Sequence, residues 1–164
     1  MAKTKIIQYL FILLFLLTPL TSTLSMADII KPVAPPEKAK CPVCGMFVAK
    51  YPNWIGEIIF TGNEIEFFDG AKDLFKYYFN LKKYNPEKTI SDIQAIYVTE
   101  YYDVDYINAY GAVFVVGSDV YGPMGRELIP FRNKADAKEF LKDHNGTKYL
   151  RFDEITPEVI TGLD

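Results

Sequence analysis

A chain of 164 residues suffices for one domain, or for two very small ones sharing a core. Apolar residues make up 49% and aromatic residues 15%, enough for a packed interior and too much for global disorder. With 18 basic against 21 acidic residues, a net charge of −3, the chain lacks the basic surface that nucleic-acid binding needs.

The first 27 residues read as a secretory signal peptide. Lys3 and Lys5 precede an apolar run over 6–20, and Ser25-Met26-Ala27 supplies small residues before a cut after Ala27. The run is too short for an ordinary membrane span, so an uncleaved signal is the one expected route to membrane association. No cysteine sits near the cut, and a lipid-anchored mature N-terminus is therefore not expected. Residues 28–40 hold Pro32, Pro35 and Pro36 without hydrophobic periodicity, which predicts an extended linker. The folded part is expected over 41–164, in halves of about 41–89 and 90–164.

Residues 56–60 read as a strand, Thr61-Gly62-Asn63 as a turn and 64–68 as the returning strand of a hairpin. Asp69 is the expected cap of a helix over about 70–82, with Ala71, Leu74, Phe75, Tyr78 and Leu81 on its buried face and Asn85-Pro86 ending it. Residues 96–99 and 101–105 predict one or two strands joining the halves. Residues 112–116 read as a strand, 117–119 as a turn and Val120 onward as a return segment. Ile129-Pro130-Phe131 then leads into a helix over about 134–143, capped by Asn133 and stopped by Asn145-Gly146. A last short strand covers 149–152, and the acidic tail is expected to be peripheral. Strand-turn-strand-helix thus occurs twice, with Phe68-Asp69-Gly70-Ala71-Lys72 placed like Phe131-Arg132-Asn133-Lys134-Ala135.

Once the signal is gone, the soft ligands are Cys41, Cys44, Met46, Met124 and the single His144. Thiolate and thioether donors suit Cu(I), whereas a closed structural zinc site needs more thiolate or imidazole than two cysteines and one histidine provide. Cys41 and Cys44, with two residues between them, close too small a loop to staple much of the chain, which leaves metal binding, redox chemistry or a plain disulfide. A redox pair normally follows a buried strand and opens a helix; this one follows a polar run ending at Lys40. Met124 sits in Gly122-Pro-Met-Gly125, a turn that can present a thioether outward. Met46, two residues past Cys44, serves equally as ligand or as packing. His144 ends the second helix, where the dipole favours a protonated ring, and as the sole imidazole it is also a candidate third ligand or transfer residue. No phosphate loop, nucleophile elbow or second histidine is present to indicate hydrolysis.

Cys41-Pro-Val-Cys-Gly-Met-Phe-Val48, Phe67-Phe-Asp-Gly70, Gly122-Pro-Met-Gly125, Pro130-Phe131, Phe140-Leu-Lys-Asp-His-Asn-Gly146 and Phe152-Asp-Glu-Ile155 together resemble the NosL family, nitrous oxide reductase accessory proteins. The resemblance spans about 41–155. It implies an α+β fold of two small ββαβ-like halves sharing antiparallel sheet, related to part of organomercurial lyase. It also implies a periplasmic, non-enzymatic Cu(I) metallochaperone. Its partners would be the maturation machinery of nitrous oxide reductase, an ABC-type transporter with a periplasmic partner. A cysteine and the methionine of the Pro-Met-Gly turn are the implied copper ligands, here Cys41 or Cys44 and Met124. Family members are typically lipoproteins, and this signal departs from them in lacking the anchoring cysteine. Relatives also occur away from nitrous oxide reduction, so copper carriage is a firmer expectation than the client. The competing readings are a thiol-disulfide oxidoreductase using Cys41 and Cys44, and a disulfide-stabilised interaction domain.

Overall fold

The computed structural model describes residues 30–164, and the signal segment lies outside them. Strand β1 (Gly56–Phe60) is buried along its whole length. Alternation sends Ile58 and Phe60 into the main core and Glu57 and Ile59 to the opposite face. It pairs antiparallel with β2 (Ile65–Phe68) through the expected hairpin, and antiparallel on its other side with β3 (Ile93–Thr99). Strand β4 (Tyr106–Asn108) completes a four-stranded sheet of order β2-β1-β3-β4. Helix α1 (Ala71–Phe79) lies between β2 and β3 in sequence, followed by the single turn α2 (Leu81–Tyr84). The expected continuous helix is broken at Asn80, whose side chain donates to the Lys76 carbonyl at 2.9 Å.

The second unit repeats this plan. Strand β5 (Val113–Val116) is central, flanked antiparallel by β8 (Ile129–Phe131) and β9 (Lys148–Arg151). Helix α3 (Lys134–Asp143) sits between β8 and β9 in sequence. Phe68 and Phe131 each end the second strand of their unit, as the sequence alignment of the halves predicted. Between β5 and β8 the second unit carries an inserted hairpin, β6 (Tyr121–Gly122) and β7 (Gly125–Arg126).

The antiparallel α+β architecture matches expectation, with the sheets divided between the units and the core shared. Phe114 and Val116 of β5 join Ile58, Phe60, Leu74 and Phe75 in the main core, while Val115 faces Phe131, Ala137 and Phe140 in a satellite cluster under α3. Phe75 meets Phe114 edge-on at 5.4 Å, tying α1 to the second sheet. The first unit runs through β4, past the break expected near residue 89.

Three other local expectations change. Residues 101–105 form a turn between β3 and β4, because the Glu100 carboxylate accepts the backbone N–H groups of Tyr102 and Asp103 at 2.7 Å each. The tail is part of the core. Helix α4 (Pro157–Thr161) packs on α1, Ile155, Ile160 and Leu163 are buried, and Asp164 pairs with Lys76 and, at 3.7 Å, with Lys72. The proline-rich segment lies against the outer face of the first sheet, where Tyr97 donates to the Ile30 carbonyl at 2.5 Å and Val33 N–H to Glu57 at 3.3 Å.

Candidate metal centre

The cysteine loop is closed by a bridge between Lys40 and Phe47. Inside it Cys41 N–H donates to the Met46 carbonyl and Gly45 N–H to the Cys41 carbonyl, both at 2.9 Å. Gly45 stands at φ +80, a conformation that an L side chain strains. The turn directs the N–H groups of Val43 and Cys44 at the Cys41 sulfur and that of Met46 at the Cys44 sulfur. Such donors favour a thiolate once the proton has left.

Two carboxylates face this loop. Asp69 follows β2 and Asp73 lies in the first turn of α1, four residues on and therefore on the same side. Cys44 Sγ lies 3.1 Å from Asp69 Oδ1 and Cys41 Sγ 3.4 Å from Asp73 Oδ2. Ligand atoms of all four residues fall within 4.8 Å of one another. Cys41, Asp69 and Asp73 are buried, Cys44 is half-buried, and both thiols are free. Asp69 Oδ2 is buried with no hydrogen-bond partner, the state of an oxygen placed for a cation. Burial first, and the neighbouring carboxylates with it, push both thiols up, Cys44 to about 12.

Asp69 was expected as a helix cap. Gly70 takes the cap position instead, with no side chain to offer, and Asp69 turns to Cys44. The involvement of Asp69 and Asp73 is the part of the site that composition alone misses. The available signal was an Asp-x-x-x-Asp spacing at a strand-to-helix junction. The second unit does not repeat it. Arg132 stands where Asp69 does and pairs with Asp105 at 2.6 Å, and Asp136 accepts from its helix cap, Asn133.

Met124 is at the tip of the β6–β7 hairpin, 43% exposed. Its carbonyl accepts from Lys72 Nζ at 2.8 Å, which brings the turn to the helical turn carrying Asp73. Met46 is half-buried, and its backbone is part of the cysteine loop. His144 lies elsewhere. It ends α3, its Nδ1 is 3.0 Å from Asp119 Oδ1, and its ring stacks on Phe140 at 4.3 Å in the satellite cluster.

A model of the NosL family matches residues 32–160. The chain belongs to the NosL family. The copper-binding lipoprotein NosL of Stutzerimonas stutzeri is 28% identical over 134 residues, covering 77% of this chain and 66%, just under two thirds, of that protein. The crystal structure of the copper chaperone NosL from Shewanella denitrificans superposes with a TM-score of 0.67 at 30% identity, over 78% of this chain and 97% of that one. The NosL fold is thus the fold of residues 30–164. No helix among the described residues is long and apolar enough to cross a membrane.

Proposed function

We propose that this NosL-family protein is an exported, non-enzymatic copper(I) carrier that takes up the ion at the cysteine loop and releases it to a partner. The observation that carries this reading is the convergence of Cys41, Cys44, Asp69 and Asp73, with the Met124 turn fastened to the same helix. Two thiolates and a thioether form a soft donor set suited to Cu(I). The carboxylates accept the thiol hydrogens in the metal-free state, and the two thiolates supply the charge that neutralises the ion when those protons leave. The ligands come from a loop and a hairpin tip, so the ion can leave by stepwise ligand exchange with an acceptor. Met46, in the cysteine loop itself, is the candidate for relay at this site. The copper-binding names of the two relatives support the same cargo. The client is nitrous oxide reductase, reached through an ABC-type transporter and its periplasmic partner, as the family resemblance implies. A thiol-disulfide oxidoreductase needs an acidic, electropositively placed thiol. Burial and two adjacent carboxylates oppose that.

Anaerobic titration of the reduced 28–164 protein with Cu(I) against a competing chelator tests the proposal. Tight binding at one ion per chain, lost in the Cys41→Ser/Cys44→Ser variant, is the expected result. Absence of competition by the reduced wild type would overturn it.

A further inference from the structure

Met124 belongs to the second unit, while the thiols and carboxylates belong to the first. The contacts that join them run through Lys72 and Glu127. Glu127, 3% exposed, follows β7 directly. Its Oε1 accepts the backbone N–H of Lys72 and, at 2.9 Å, that of Leu128. It thereby supplies from the other unit the helix cap that Gly70 cannot. The side chain of Lys72, 4% exposed, reaches the opposite way and donates to the Met124 carbonyl at 2.8 Å and the Leu163 carbonyl at 3.3 Å. Burying an ammonium and a carboxyl group is costly unless each finds fixed partners. Here the ammonium has the Met124 and Leu163 carbonyls, and the Glu127 oxygen has the backbone N–H groups of Lys72 and Leu128. Glycines make room for the arrangement. A Cβ on Gly70 would collide with Glu127 Oε2, and one on Gly122 would come within 3.1 Å of Glu127 Cγ.

We infer that Lys72 and Glu127 are positioning residues for copper, a two-sided clamp that holds the Met124 turn against the helical turn bearing Asp73. The inference rests on the copper(I) reading above and adds the device that makes the thioether a ligand. With the clamp closed, Met124 meets the ion at a fixed place. With it open, the hairpin of two-residue strands keeps its fold, and the thiols alone hold the ion.

A double-mutant cycle on the reduced protein tests this, using chelator competition for Cu(I) and, as a thiol-only probe, the sulfur-to-metal absorbance of Cd(II). Lys72→Met keeps the bulk of the stem and removes the ammonium. It is expected to weaken Cu(I) binding about tenfold, the usual scale for a residue supporting a ligand. Met124→Leu should weaken it at least as much, the double variant should be no weaker than Met124→Leu alone, and Cd(II) absorbance should be unchanged throughout. Gly70→Ala, whose extended φ of −177° tolerates alanine, pushes Glu127 aside and should reproduce the Lys72→Met result; it serves if Lys72→Met fails to fold. Equal losses from the clamp variants with and without Met124, or unchanged Cu(I) affinity in folded clamp variants, would overturn the clamp and leave the carrier standing. An inert Met124→Leu overturns the clamp as well. No Cu(I) binding by the wild type removes both.

Discussion

A buried thiol beside a carboxylate keeps its proton, because ionising it would place two negative charges together out of water. Cys44 is in that position, 3.1 Å from Asp69 and pushed up to about 12 by burial first and by the carboxylate second. A thiol so held ionises little at neutral pH, and the proton leaves when a cation takes its place. Replacing Asp69 by Asn keeps the shape and an acceptor oxygen while removing the charge. The Cys44 value should fall, though burial still holds it above that of an ordinary thiol. In the reduced, metal-free protein, alkylation of Cys44 at pH 8, followed by mass, should be faster in Asp69→Asn than in the wild type. Equal rates would mean that the carboxylate does not bear on the sulfur.

Helices α1 and α3 occupy the same place in their units but are started differently. Asn133 caps α3 with its own side chain, accepting from Ala135 and Asp136 at 2.9 and 3.0 Å, whereas α1 borrows Glu127 from across the molecule. Asn133→Ala should therefore cost about 1 kcal/mol in urea denaturation and leave Cu(I) affinity unchanged, since α3 packs on the second sheet and its satellite cluster. A loss of affinity would show the second unit's helix coupled to the metal. The local cap of α3 is also why its ends were legible: a polar side chain, then apolar residues at helical spacing, then Asn-Gly. The α1 break was not, because it depends on the Asn80 amide taking a backbone carbonyl. The turn at 101–105 hides behind β-rich residues, since what bends it is the carboxylate of Glu100. Tail burial was equally hidden, as five helical residues give too little periodicity to mark a face. At the site, cysteine and methionine declare themselves by type. Asp69 and Asp73 do not, since most acids are solvated and only packing shows that these two are enclosed.

The two units share one core, so an ionisable group buried in one affects the stability of the whole. Glu57, on the central strand of the first sheet, is fully buried with Oε1 unpartnered and Oε2 held by the Val33 N–H. Burial pushes it up to about 7 from the ordinary 4.5, and nearby Tyr106 is raised by its own burial first and by the Glu57 charge second. In the unfolded chain it releases its proton near 4.5; in the folded one it keeps it to about 7. Between those values the folded state binds more protons than the unfolded one, so the Glu57 contribution to stability is present at low pH and lost as pH rises through the window. The loss is complete above about 7 and amounts to roughly 3 kcal/mol at most. Glu57→Gln, which cannot ionise, removes that slope. Urea denaturation at pH 4.5 and pH 8 should give nearly equal stabilities for the two proteins at the lower pH, and at the higher a variant more stable by a substantial part of that figure. A wild-type and variant difference independent of pH would place the proton elsewhere.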